Sequence, residues 1–243
     1  MVFRLLKKEK IKFLGPLGEL TGYSVVLDSF QDDRTILTHK GCNNQLKFKE
    51  INLDLLRTKW FYFSSMMEES LETQKKLAEF AEINKIKVAF NPSSYLARLG
   101  LKNINQIIQA TNIIICNKEE SALLTGKSNI KDTLKEMKKH VKDIVVVTDG
   151  KRGAWAYDGK KAIRGMPKKN LKIVETTGAG DGFASGFVAG VIKKKELKTC
   201  MRMGFIEAES VIEAYGAKNN LVTQRRMAEM LRKDKRKIKN FSL

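Results

Sequence analysis

The chain is poor in the residues that small folds use as covalent or metal staples. Its 243 residues hold three cysteines, three prolines and two histidines. Cys42, Cys116 and Cys200 are odd in number and widely spaced. That excludes a disulfide framework and the paired spacing of a zinc site, and it fits a reducing compartment. With only His39 and His140, a histidine metal centre or a Ser-His-Asp triad has little to draw on. Acidic residues are also short: 27 Asp and Glu stand against 46 Lys and Arg, a formal charge of +19. Long apolar runs are missing too. Residues Met1 to Lys10 are already charged and show no secretory pattern. The most apolar helical stretch, Phe183 to Ile192, holds Gly and Ser and is too short to span a bilayer. A protein without membrane spans, located in the cytoplasm, is the expectation.

What is present is enough for a core. Hydrophobic residues make up 42% of the chain, which supports a globular fold rather than disorder. No repeat, Pro-rich linker or composition shift divides it, so residues 1–243 read as one domain. The positive charge favours anionic ligands such as nucleotides, nucleic acid or acidic surfaces. The basic residues are spread along the whole sequence, however. Their densest run, Arg225 to Lys237, reads as a solvated helix face with a frayed tail. It lacks the interleaved aromatics of single-strand binders, so nucleic acid is not the expected partner.

The periodicity alternates. TGYSVVL (Thr21–Leu27) and RTILTH (Arg34–His39) are β-like runs around a polar turn that carries Asp28, Asp32 and Asp33. Leu53–Thr58 reads as a short helix, Trp60–Ser64 as a strand and Leu71–Ile83 as a helix. Ile86–Phe90 is the next strand, stopped by Pro92. Helix follows at 104–110, strand at 113–115, helices from 119 to 126 and from 130 to 140, and a buried strand at 144–147. This order argues for an α/β fold, a mostly parallel sheet with helices on both faces. Residues 154–157 and 161–164, around Asp158-Gly159, predict an antiparallel edge hairpin. Helices at 183–194 and 200–214 close the pattern. The small residues Gly182, Ala184, Ser185, Gly186, Ala189 and Gly190 suit the first of them to close packing on the sheet.

Three polar clusters fall at strand or loop ends, where open α/β sheets bind ligands. Asn117-Lys118-Glu119-Glu120 follows strand 113–115. Thr148-Asp149-Gly150-Lys151-Arg152-Gly153 follows strand 144–147. Glu175-Thr176-Thr177-Gly178-Ala179-Gly180-Asp181 reads as a glycine loop opening a helix. Such a loop lets the backbone approach a ligand and aims helix N–H groups at an anion. Asp181 sets a carboxylate beside that anion, the pairing that phosphoryl transfer to a hydroxyl needs. Taken singly, each cluster has a plainer reading: Asn117 and Glu120 as a capping box, 148–153 as a turn, Asp181 as an acid near a helix start. Their joint occurrence in this order is harder to assign to chance.

The segment ETTGAGDGF closely resembles the C-terminal signature of the ribokinase-like (PfkB) carbohydrate kinase family, usually written D-T-T-G-A-G-D-x-F. NKEE at 117–120 matches that family's N-x-x-E, and TDGKRG at 148–153 its T-x-G-x-x-G. Asn91-Pro92-Ser93 and Gly216-Ala217 also fit, and the likeness runs from about Thr21 to Ala217. The resemblance implies a three-layer α/β/α kinase with a small β lid at about residues 20–40. It implies Asp181 as general base and the N–H groups of Gly178, Ala179 and Gly180 as anion hole. Asn117, Thr148, Gly150 and Gly153 would line the ATP site, and Glu120 would act on Mg²⁺ through water. Glu175 and Thr177 would be the place for an activating monovalent cation such as K⁺. Glu175 replaces the family's Asp and is one methylene longer.

The implied activity is transfer of the ATP γ-phosphate to a hydroxymethyl group of a sugar or sugar derivative, with a nucleoside as the alternative acceptor. A lid also implies a possible homodimer. Nothing ahead of Thr21 resembles the family's first strand and Gly-Gly substrate loop. Three expectations stand open on that point: a shortened chain, a split enzyme complemented by an N-terminal segment, or a non-catalytic relative that binds nucleotide or polyanions.

Overall fold

The computed structural model describes every residue except 1, 17, 19 and 29–33. The polar turn with Asp32 and Asp33 therefore lies outside the described residues. A helix not foreseen from the sequence, α1 (Val2–Lys8), comes first, followed by β1 (Tyr23–Asp28) and β2 (Arg34–His39). These two strands pair antiparallel as a separate two-stranded sheet, with Val25 opposite Leu37. It is the small β unit that the sequence placed at residues 20–40.

The main sheet is assembled from β3 (Trp60–Phe63), α2 (Glu68–Ile83), β4 (Lys87–Phe90), α3 (Ser94–Asn103), α4 (Asn105–Ala110), β5 (Thr111–Asn117), α5 (Lys118–Thr125), α6 (Ile130–Lys138) and β6 (Ile144–Thr148). The strands β3, β4, β5 and β6 are mutually parallel neighbours. β7 (Ala154–Tyr157) and β8 (Ala162–Gly165) then form the antiparallel hairpin, and a short β9 (Lys239–Phe241) pairs beyond it. The seven strands run β3-β4-β5-β6-β7-β8-β9 across the sheet. Ile113 to Cys116 and Val145 to Val147 are buried on both faces, as an interior parallel strand requires.

Side chains alternate between two cores. Val88, Phe90, Ile114, Cys116, Val145 and Val147 face one layer with Leu71, Leu96, Ile107, Leu124 and Leu134. Ala89, Ile113, Ile115 and Val146 face the other, with Phe183 and Phe187 of α7 (Ala179–Ile192) and Met201 and Phe205 of α8 (Leu197–Ile212). The result is helix, sheet, helix in three layers. Burial raises the thiol of Cys116, and likewise that of Cys200, to about 11 in the latter case. Both sulfurs are packing groups rather than nucleophiles.

Two expectations need correcting. The glycine face of α7 does not meet the sheet. A Cβ on Gly186 would lie 2.5 Å from the Met203 carbonyl oxygen, and one on Gly190 would lie 3.0 Å from Cys200. Gly182, Gly186 and Gly190, four residues apart, let α7 and α8 come together backbone to backbone, while Phe183 and Phe187 turn to the sheet. The C-terminal basic run is not wholly solvated either. α9 (Gln224–Lys233) is exposed along much of its length, but Arg236 beyond it is 5% exposed and bonded to Glu209. Among the described residues no helix is long and apolar enough to cross a membrane.

Candidate active site

The site forms where parallel strands end. Asn117 closes β5 and caps α5: its side chain accepts from the Glu120 N–H at 2.8 Å. Glu120 returns the contact, its Oε2 accepting from the Asn117 N–H at 2.9 Å. The capping box forms as read. It also fixes Glu120 in a nearly buried position, where the Ser94 hydroxyl donates to its other oxygen at 3.4 Å. Burial raises the Glu120 carboxyl, and the Glu119 and Asp181 charges add to this. The Asn117 N–H and Ser94 hydroxyl oppose it.

Thr148, at the end of β6, is the register partner of Asn117. The following turn is closed by the Asp149 N–H on the Gly153 carbonyl at 2.8 Å. Gly153 has φ +99, and a Cβ there would run into the Gly165 carbonyl; only glycine fits. Gly150 faces open space. The two clusters that the sequence assigned to nucleotide binding are therefore side by side on adjacent strands.

Gly178 is the N-cap of α7, with φ +84. Its Cα packs so closely on Ala217 that a Cβ would sit 2.8 Å from that residue. The Gly216 N–H donates to Glu175 Oε2 at 2.8 Å, so Glu175 joins the start of the glycine loop to the Gly216–Ala217 turn. The Ala179 N–H donates to the Thr176 carbonyl at 3.2 Å, while the Gly180 and Asp181 N–H groups have no carbonyl one turn ahead of them within the helix. They carry the positive end of the helix dipole. Asp181 stands exposed in this first turn.

The charge of Asp181 is also felt on β3 of the sheet. Burial is the first cause that raises the Tyr62 hydroxyl; the Asp181 charge adds to it, and a hydrogen bond with the Asn91 side chain works against it. Tyr62 on β3 and Ser94 on α3 were not singled out by sequence reasoning. Tyr62 was read only as one more apolar strand residue in WFYF. Ser94 carried a signal, because it follows Asn91-Pro92-Ser93 directly at the end of β4.

Among the described residues no group of three or more His, Cys, Asp or Glu could hold a metal by itself. The nearly buried Glu120 carboxylate is an oxygen donor of the kind that would suit Mg²⁺ through water.

The description "pfkB family carbohydrate kinase" matches residues 3–224. The chain belongs to that family. The match begins ahead of the first recognisable motif near Thr21. Similar relatives include an uncharacterized sugar kinase of Archaeoglobus fulgidus, 29% identical over 206 residues, covering 83% of this chain and 80% of that one. A cytidine kinase of Thermococcus kodakarensis is 31% identical over 167 residues, covering 67% of this chain but 58% of that enzyme. The crystal structure of Methanocaldococcus jannaschii nucleoside kinase, described as an archaeal member of the ribokinase family, superposes with a TM-score of 0.80 at 26% identity. It covers 96% of this chain and 76% of that one. The relatives of this kinase family member act on sugars and nucleosides by their names, and the fold is theirs.

Proposed function

We propose that this chain is an ATP-dependent phosphotransferase whose acceptor is the hydroxymethyl group of a sugar or sugar derivative. The observation that carries the reading is the glycine loop at Gly178–Gly180 opening α7 with Asp181 in its first turn. Asp181 accepts the proton of the acceptor hydroxyl as that oxygen attacks the γ-phosphorus. The N–H groups of Gly178, Ala179 and Gly180 stabilise charge on the transferring phosphoryl group, and ADP leaves. Asn117, Thr148, Gly150 and Gly153 line the nucleotide side. Glu120 would orient water around Mg²⁺, and the ion when bound would supply charge neutralisation for the phosphates.

A nucleoside acceptor is the second reading. It is favoured by the cytidine and nucleoside kinases among the relatives and by the half-exposed Tyr62 ring on β3, whose hydroxyl feels the Asp181 charge, a face on which a base could stack. K⁺ at Glu175 and Thr177 belongs to the same proposal. Glu175 already ties the glycine loop to the Gly216 turn, so a cation there would stiffen the anion hole.

The test is ADP release from Mg·ATP across sugars, sugar phosphates and nucleosides, in K⁺ and in Na⁺, with Asp181→Asn as control. Turnover with one acceptor class, falling about 10²- to 10⁴-fold in the variant as loss of a general base does, supports the mechanism. Turnover unchanged in the variant removes Asp181 from it. Mg·ATP binding with no turnover on any acceptor would favour the non-catalytic reading.

A further inference from the structure

One cluster beside the nucleotide loop is not used by the mechanism above. Asp149 follows Thr148, and Lys118 follows Asn117, so the register pair Asn117–Thr148 brings the two together at the strand ends. Arg152 Nε donates to Asp149 Oδ2 and Arg152 Nη2 to Oδ1, both at 2.7 Å. Lys118 Nζ lies 3.8 Å from Asp149 Oδ2. The Arg152 backbone is fixed as well, because its carbonyl accepts from Arg164 Nη2 at 3.2 Å. Exposure runs from inside to outside: the Asp149 side chain is 10% exposed, that of Lys118 43% and that of Arg152 73%.

Two cations share one carboxylate, so the cluster presents a net positive charge to solvent. Lys118 Nζ is beyond hydrogen-bond reach of Asp149, which leaves its donors available for a ligand. Arg152 spends only Nε and Nη2 on the carboxylate, and its guanidinium has further N–H groups. As a stability device the arrangement is modest, since the Lys118 and Arg152 ends of the ion pairs lie in solvent. As a phosphate-facing rim it is well suited: the guanidinium plane is held in one orientation, and charge-assisted bonds to phosphate are the strong ones.

Resting on the kinase reading, we infer that Lys118 and Arg152, oriented by Asp149, form a two-cation rim on the donor side of the site that discriminates nucleotides by their number of phosphates. ATP, with the most negative charge, gains most from the rim; ADP gains less and AMP least. Lys118 and Arg152 are thus specificity residues for the donor, and Asp149 is a positioning residue.

The experiment is calorimetric titration of the full chain with ATP, ADP and AMP, each with Mg²⁺ at two salt concentrations. It compares the native sequence, the Lys118→Ala/Arg152→Ala double variant and the milder single variants Lys118→Gln and Arg152→Gln. Circular dichroism melts establish that each variant is folded. The double variant is expected to weaken ATP about tenfold or more, as the loss of charged hydrogen bonds does. AMP affinity should stay within about twofold, the ATP-to-ADP preference should fall, and the salt dependence of ATP binding should flatten. Each Gln variant should give a smaller drop in the same direction. An unchanged ATP-to-ADP ratio, or equal weakening of all three nucleotides, overturns the inference while leaving the kinase reading in place. Failure of the native chain to bind any nucleotide overturns both.

Discussion

Arg236 lies bidentate on Glu209, its Nη1 and Nη2 donating to the two carboxylate oxygens at 2.9 and 2.8 Å, with both side chains almost fully removed from solvent. The pair belongs to a wider latch. Asp234, 2% exposed, bridges to Arg202 at 3.1 Å, and the Arg236 guanidinium stacks over Phe205 at 4.7 Å. Breaking one half of a buried pair leaves a bare charge, which typically costs about 3–5 kcal/mol. Arg236→Met should therefore lower the urea midpoint markedly. Arg236→Met with Glu209→Leu should recover part of the loss: the Glu209 charge is gone and Asp234 keeps Arg202, but the Lys168 N–H loses its acceptor. A single variant as stable as the native chain would remove the latch from the account of the C-terminal segment.

The glycines of the 178–180 loop should behave differently from one another. Gly178 has φ +84 and no room for a methyl group against Ala217, whereas nothing lies within 4 Å of a Cβ on Gly180. Gly178→Ala should cost about 1–3 kcal/mol through strain and overpacking. Gly180→Ala should leave the melting temperature nearly unchanged and still reduce kcat, because its open space is where a phosphoryl group would approach. Equal melting losses for the two variants would contradict this division.

The small sheet carries an apolar face. Val25 is paired with Leu37, and both are about half-exposed, as are Tyr23 and Leu27 on the same side of β1. A face of this kind usually marks an interaction site, and we propose that it pairs two copies of the chain. Sedimentation velocity should give a dimer for the native sequence and a monomer for Val25→Glu/Leu37→Glu. A native monomer at micromolar concentration would sink the homodimer and turn attention to a complementing segment or to a lid that closes on its own site.

Apart from α3, the order of strands and helices from Trp60 to Ile212 was legible because parallel strands buried on both faces leave unbroken apolar runs such as Ile113–Ile115 and Val145–Val147. The capping box at Asn117 and Glu120 was legible for a local reason: its two hydrogen bonds join residues three apart. What escaped was non-local. Nothing near Arg236 in sequence announces Glu209, 27 positions away, so a basic run read as solvated. The Gly182, Gly186 and Gly190 stripe announced a close approach but not its partner, since the sheet and α8 both lie within reach of α7. The helix α3 escaped because Pro92 signalled a loop and Gly100, with φ 75, interrupts the helical pattern. Tyr62 escaped because an aromatic on an edge strand looks the same in sequence whether or not it is hydrogen-bonded to a residue such as Asn91, 29 positions on.

Acid should act on the 148–153 turn in a defined direction. The Arg152 hydrogen bonds hold the Asp149 carboxyl below the ordinary carboxylate range, with the Arg152 and Lys118 charges adding and partial burial opposing. A folded value below the unfolded one means that the unfolded chain binds the proton more readily. The stabilisation is then fully present above the unfolded carboxylate value of about 3.9 and is lost as pH falls through the folded one. Asp149→Asn removes this contribution at every pH. Native and variant chains should differ most in melting temperature near neutrality and converge as the pH falls into the acid range. Other lowered carboxyls, Glu136 among them, titrate in both proteins and cancel in the difference. Melts that stay parallel from pH 7 into acid would show that the ion pair does not stabilise the turn, and Arg152 would then be a cation free to move when a nucleotide arrives.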